Sequence, residues 1–226
     1  MRFLLALIFI LPVIDGIPPA ALAAPSAKLQ ADLATHVYSF RLEKHKGDLR
    51  YAVWQVLSHA SSAGVNPGDY WIAMEQVSNI PVTSVSGEIA EGRLQDQLDA
   101  VARSAGYVWQ ANGEWLNFIP KTKVDDPLYL MNQRMPGTII VSRYFPTPVE
   151  KWFKTHRVYL PRGVELGRIR LDPPVYGPDP VTLHNPALRE YFNARKSLFG
   201  EHQWKVTITI VPAKDGSSPP YTNLVF

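Results

Sequence analysis

One order of signals runs through the chain twice, and it narrows the folds available. Pro-Val-Thr stands at residues 81–83 and again at 180–182. Each is followed by an amphipathic helix pattern, a glycine (Gly106, Gly200), a tryptophan (Trp109, Trp204) and a strand pattern closing on Ile119-Pro120 or Val211-Pro212. Leu94, Leu98, Val101 and Ala102 share one helical face in the first series. Leu188, Tyr191, Phe192 and Leu198 share one in the second. The ordered series predicts an α+β fold of two tandem αβ units, each about two helices packed on short mixed β-sheets. The competing reading is two unrelated strand–helix–strand segments with generic punctuation.

The stretch "GYVWQANGEWLNFIP" at 106–120 sets the faces of the first unit. Asn112-Gly113 between alternating runs is a hairpin signal, predicting a type I′ turn with Ala111 opposite Glu114 and Tyr107 opposite Phe118. Alternation then puts Tyr107, Trp109, Leu116 and Phe118 on a core face. Val108, Gln110, Trp115, Asn117 and Ile119 form a mixed second face. In the second unit Trp204, Val206, Ile208 and Ile210 make the core face, so Trp109 and Trp204 are equivalent. Trp115 has no counterpart and is read either as a partner contact or as partly buried against a neighbouring element.

Other patterns fill in the units. Residues 37–42 alternate like a strand. Leu49, Val53, Val56, Leu57 and Ala60 recur at helical spacing, with Gly64 as the stop. Residues 70–75 and 80–85 read as strands, and 137–145 as another. Thr147, Pro148 and Glu150 make a capping box with proline at the first helical position. Residues 165–171 are a strand candidate, 171–180 a proline-rich connector, and Asn185-Pro186 a second helix cap. The boundaries are 37–121 for the first unit, 122–136 for a linker and 137–226 for the second unit.

The N-terminus predicts export. Arg2 precedes an apolar run from Phe3 to Val13, and Ala21-Leu22-Ala23 is a small-x-small cleavage signal, so residues 1–23 read as a signal peptide. An uncleaved anchor is the other reading. No later run approaches about 18 consecutive apolar residues, so no stable membrane insertion is expected after cleavage. With no cysteine, the exported chain has no disulfide and no lipid-accepting thiol, which suits a bacterial periplasmic or secreted protein. A net charge of +3 with no basic run disfavours nucleic acid as a partner.

Residues 80–120 then carry a family resemblance. Ser86-Gly87-Glu88, Leu94, Leu98, Gly106, Tyr107, Asn112-Gly113 and Ile119-Pro120 follow the pattern of the short N-terminal domain of secretins and TonB-dependent receptors. The helix pattern before Gly64 resembles that family's first helix. The resemblance covers about residues 37–121, and the second half resembles a diverged copy. It departs where "EIAEG" replaces the usual Ser or Thr opening the second helix, and no secretin channel or receptor barrel follows. It implies a periplasmic protein-interaction module.

Chemistry-bearing motifs are sparse. The histidines at 36, 45, 59, 156, 184 and 202 show no metal-ligand spacing, and serine-nucleophile and phosphate-loop motifs do not occur. Asp48 reads as a helix-start charge or cap. Glu88 with Glu91 and Asp96 with Asp99 read as solvated carboxylates on or beside a helix. No catalytic, metal or cofactor-binding residue is assigned, and no cofactor is expected. The function expected is therefore a non-enzymatic interaction module of the cell envelope. The alternative is a periplasmic enzyme or small-ligand binder with a site between the units. Tyr176, Tyr221 and Trp115 are the candidate protein-binding residues. The segment "YTNLVF" at 221–226 is the candidate edge strand for a partner to extend. N-terminal sequencing of exported protein should read Ala24 first; an intact Met1 on a membrane-bound chain would refute cleavage.

Overall fold

The computed structural model describes residues 24–42, 49–80, 85–141, 147–159, 181–198, 203–211 and 220–225. The signal peptide at 1–23, His45, Asp48, Pro-Val-Thr at 81–83 and the strand candidate at 165–171 lie outside the described residues. So do the connector with Tyr176, Pro180, Gly200, His202, Pro212, most of the loop before Tyr221, and Phe226.

The first half contains α1 (Ala27–Leu33), β1 (His36–Val37), β2 (Phe40–Leu42), α2 (Leu49–Ala60) and β3 (Trp71–Val77). It continues through β4 (Gly87–Ile89), β5 (Gly92–Arg93), α3 (Leu94–Ser104), β6 (Tyr107–Asn112) and β7 (Trp115–Pro120). The second half contains β8 (Thr138–Val141), α4 (Thr147–Thr155), β9 (Val158–Tyr159) and β10 (Val181–His184). It ends with α5 (Leu188–Leu198), β11 (Gln203–Val211) and β12 (Tyr221–Val225). Helices and strands are mixed throughout, as an α+β chain requires.

Six strands form one mixed sheet in the order β6-β7-β3-β11-β12-β9. This corrects the expectation of a separate sheet for each half. β3 and β11 run parallel, from Ile72 beside Gln203 to Val77 beside Ile208. The reason lies in β3, whose alternate side chains are buried on both sides of the sheet. Such a strand needs cover on both faces, and a parallel neighbour supplies the second.

Within each half the pairings follow the same order. β2 is antiparallel to β4, as β8 is to β10. β3 is parallel to β7, as β9 is to β12. β6 is antiparallel to β7, as β11 is to β12. The terminal strand β12 is therefore not the sheet edge, because the short β9 lies outside it.

Two cores back onto this sheet. On one face Leu49, Val53, Val56 and Leu57 of α2 and Leu94, Leu98 and Val101 of α3 meet Ile72, Met74, Tyr107, Leu116 and Phe118. Leu29 and Leu33 of α1 join them. On the other face Val149 and Trp152 of α4 and Leu188, Tyr191 and Phe192 of α5 meet Ala73, Val77, Trp115, Ile119, Trp204, Val206 and Ile208. The helices of the two halves thus lie on opposite faces. The segment read as a linker is part of the second core, through Tyr129, Leu130, Met131 and Met135.

The hairpin alternation holds, but its register differs by two residues. Asn112 pairs with Trp115, Ala111 with Leu116 and Trp109 with Phe118. A type I′ turn on Asn112-Gly113 needs positive φ at both residues, and of the two only Gly113 has it, at +59°. The turn accordingly centres on Gly113-Glu114. A shift of two preserves both faces. At α5 the expected cap also moves: the Asn185 side chain accepts the Gly137 N–H at 2.6 Å, and Glu190 reaches back to the Ala187 N–H at 2.8 Å.

Trp109 and Trp204 hold matching positions. The Trp109 indole N–H donates to Asp99 Oδ1 at 2.7 Å, and that of Trp204 to Asn193 Oδ1 at 3.0 Å. Asp99 and Asn193 each stand sixth in their helix, α3 and α5. Trp204 is buried, whereas Trp109 is half-buried at the margin of its core. Ile210, expected on the core face, is 63% exposed beyond the reach of α5. Trp204→Ala should lower stability by about 3–5 kcal/mol, and Trp109→Ala by clearly less. Urea denaturation followed by tryptophan fluorescence checks this; equal losses would contradict the burial difference.

Candidate interaction surface

Polar groups between the halves are already committed to each other. Arg189 of α5 is buried against Glu75 of β3, with Nε donating to one carboxylate oxygen and a terminal nitrogen to the other at 3.0 Å. The same guanidinium donates to Asn132 Oδ1 at 2.9 Å. Asn132 in turn donates to the carbonyls of Lys123 and Asp126, at 2.9 Å each, which fastens the segment that follows β7. Burial works against the Arg189 charge, but Glu75 beside it more than compensates and raises the guanidinium pKa further. Burial and then the Glu75 charge push the Tyr129 phenol far above its usual range.

A second set of bonds runs along the back of β7. Asn193 Nδ2 donates to Asn117 Oδ1 at 2.8 Å, and the Trp115 indole N–H to Ser197 Oγ at 3.1 Å. Trp115 is 5% exposed, its ring centroid 5.0 Å from Trp71 and 6.4 Å from Trp204. This burial corrects the partner-contact reading of Trp115: the residue is a joint between the halves and presents almost no surface. A cleft of about 420 Å³ opens beside it, between the Asn112 end of the hairpin, β10 and α5. Its walls are largely apolar, from Val181, Leu183, Pro186 and Ala194. Its Asn193, Ser197 and Glu190 side chains bond within the protein.

The far end of the sheet is built differently. α4 ends at Thr155, Arg157 with a φ of +52° turns the chain into β9, and the Arg157 carbonyl accepts the Thr222 N–H of β12 at 3.1 Å. Val158 then points into the second core, so Tyr159 points to the opposite face and is 57% exposed. In β12 Leu224 is buried in the same core, and alternation puts Tyr221, Asn223 and Val225 with Tyr159. Tyr221 is 39% exposed, and its ring meets that of Tyr159 edge-on at 5.1 Å. On the α4 side of the same strand lies a groove of about 510 Å³, lined by Glu150, Phe153, Lys154, Arg157, Val158 and Tyr159.

The three sequence candidates are thus separated. Tyr221 stands on this open face, Trp115 is internal, and Tyr176 lies outside the described residues. Tyr159 was missed because the sequence reading of this stretch rested on the capping box at Thr147, Pro148 and Glu150 and assigned no strand after it. The signal was the Val158-Tyr159 alternation just after the basic helix end. Among the described residues no three His, Cys, Asp or Glu side chains gather as a metal site would require, and no helix is long and apolar enough to cross a membrane. Comparison with protein-family models, curated proteins and solved structures finds no match.

The joint makes a testable demand. Arg189→Ala or Glu75→Ala leaves a buried charge unpaired and should cost about 3–5 kcal/mol. The paired replacement Glu75→Leu with Arg189→Met should recover most of that loss. Denaturation midpoints of the three variants are the readout.

Proposed function

We propose that this chain is a non-enzymatic protein-interaction module of the bacterial cell envelope. It would be made of two diverged copies of a unit like the short N-terminal domain of secretins and TonB-dependent receptors. The observation that carries the reading is the surface at the β9 end of the sheet. It sets the exposed Tyr159 of the short outer strand against Tyr221 of the neighbouring β12 on one face of the sheet, with a groove on the other. Tyrosines supply large contact area at small entropic cost, and backbone groups at a sheet edge add a strand without side-chain specificity. The recurring pairing order and the matching Trp109–Asp99 and Trp204–Asn193 bonds support two copies of one unit. A ligand site in the inter-half cleft is the weaker reading, because the polar groups named there already bond within the protein.

The experiment is capture of envelope proteins by the exported chain under mild crosslinking, repeated with Tyr159→Ala, Tyr221→Ala and, as a control in the cleft, Val181→Ala. The two tyrosine variants should lose captured partner about tenfold, equivalent to about 1.4 kcal/mol each, with unchanged circular dichroism. Undiminished capture by both, with loss in Val181→Ala, would move the site to the cleft.

A further inference from the structure

The sheet edge at β6, at the far side of the molecule from β9, is built to receive a strand. β6 is the equivalent of β11, each being antiparallel to the middle strand of its half. The outer side of β11 is closed by β3, which sets Ala73 beside Trp204, and Trp204 is 4% exposed. Trp109 makes the matching indole bond but is only half-buried, and among the described residues β6 has no second strand neighbour. What Trp109 lacks, by comparison with Trp204, is the strand beyond it.

The backbone of this edge is free. The Lys121 N–H donates to the Gly106 carbonyl at 3.0 Å, one step past the Tyr107–Pro120 pair. Bonded pairs alternate along an antiparallel ladder, so Val108, Gln110 and Asn112 turn their N–H and C=O to β7. Tyr107, Trp109 and Ala111 turn theirs away, and among the described residues no strand takes them. Native sheet edges are ordinarily guarded by a charge, a proline or a bulge. β6 carries no charge and no proline, and it pairs one residue to one with β7 along its length.

A second β6 fits this edge by symmetry. With the two strands antiparallel and Trp109 opposite its own copy, Tyr107 falls opposite Ala111 of the other chain. All three outward residues on each strand then stand in bonded pairs. The two Trp109 rings meet between the two α3 helices and cover each other's open side. The charges on α3 agree with the same axis. Asp96, Asp99 and Arg103 follow spacings of three and four, which places them on one stripe of the helix. The Trp109–Asp99 bond turns that stripe to the β6 edge and sets Asp99 level with Trp109. At 1.5 Å per residue, Asp96 stands about 4.5 Å to one side of Asp99 and Arg103 about 6 Å to the other. A two-fold axis through the Trp109 pair therefore sets Arg103 of each copy level with Asp96 of the other. The two Asp99 carboxylates lie nearest the axis, each engaged by its own indole. Within one copy Asp96 pairs with Arg93 at 2.9 Å, and Arg103 gives its Nε to the Asp99 carbonyl at 3.2 Å; both side chains are exposed.

We propose that two copies of this chain form a two-fold dimer by antiparallel pairing of β6 with β6, joining their six-stranded sheets into one. The contact uses the same patch on both copies, so it closes at two. It leaves a β9 end at each outer edge and does not depend on what that end binds.

The chain has no cysteine, so introduced thiols report the register. Val108 falls opposite Gln110 of the other copy in a non-bonded pair, with Cα atoms about 4.5 Å apart, inside the disulfide range. Exported Val108→Cys mixed with Gln110→Cys should give a mixed disulfide dimer under mild oxidation. Neither variant alone should, because each residue stands two positions along from its own copy, beyond the reach of about 7 Å. Sedimentation velocity of the unmodified chain should show the mass rising with concentration to two chains and no further. Ala111→Pro removes an outward N–H while keeping the β7 ladder, and should sediment as a monomer. Arg103→Glu changes an exposed helix residue, so it tests the contact even where the proline variant fails to fold. It should weaken the dimer about tenfold with unchanged circular dichroism. A chain that is monomeric at every concentration and gives no mixed disulfide overturns the proposal, and leaves the β6 edge to a strand of a different protein. A dimer that survives both Ala111→Pro and Arg103→Glu overturns it too, by placing the contact elsewhere. Neither result bears on capture through Tyr159 and Tyr221.

Discussion

The structure depends on the parallel contact between β3 and β11. β3 carries apolar side chains to both cores, so its edge and both faces must be closed for the chain to bury what it has. β11 closes the edge, and Glu75 with Arg189 fixes α5 across the face. A buried ion pair contributes little net stability compared with apolar residues of the same shape. Its value here is register. Glu75 stands level with Val206, and a slip of one residue along β3 would turn Trp204 and Ile208 out of their core.

Local patterns made the helices legible. Periodicity found α2, α3 and α5, a capping box found the start of α4, and the predicted residues Leu94, Leu98, Val101 and Ala102 are buried, with Gln97 beside them. Strand alternation found both faces of the hairpin even though its register was off by two, because side chains alternate with period two. α1 escaped notice because seven residues offer only one apolar pair, Leu29 and Leu33, to show a period. The shared sheet was not legible at all. Alternation says which side chains face a core, and nothing in it says which strand will lie alongside. Glu75 illustrates the gap: in sequence it looked like the polar end of a strand, and its partner lies 114 residues away.

The candidate surface was legible only in part, for the same reason. Tyr221 could be suspected from its place in a short terminal strand, but its significance comes from Tyr159, brought beside it by the β9–β12 ladder. Trp115 looked surplus because the residues that enclose it, Trp71, Trp204 and Ser197, come from three separate elements. The halves are also unequal in cover. The back of the first half is filled by Tyr129, Met131, Met135 and α5. The back of the second half carries Tyr159, Tyr221 and Val225 to the surface.

The distance between Glu75 and Arg189 along the chain has a kinetic consequence. A ribosome delivers residues in order, so the first core, all of whose members precede Lys121, has its full complement long before β11 exists. During that interval the back of the first sheet and the edge of β3 are bare, with Ala73, Val77, Trp115 and Ile119 in contact with water. Contacts between remote segments form slowly because a long loop must close first. The nascent or refolding chain therefore passes through a half-built state whose open edge invites other strands. Dilution, a chaperone or rapid completion of the C-terminal half would each shorten the life of that state, and yield on refolding should depend more on concentration than on final stability.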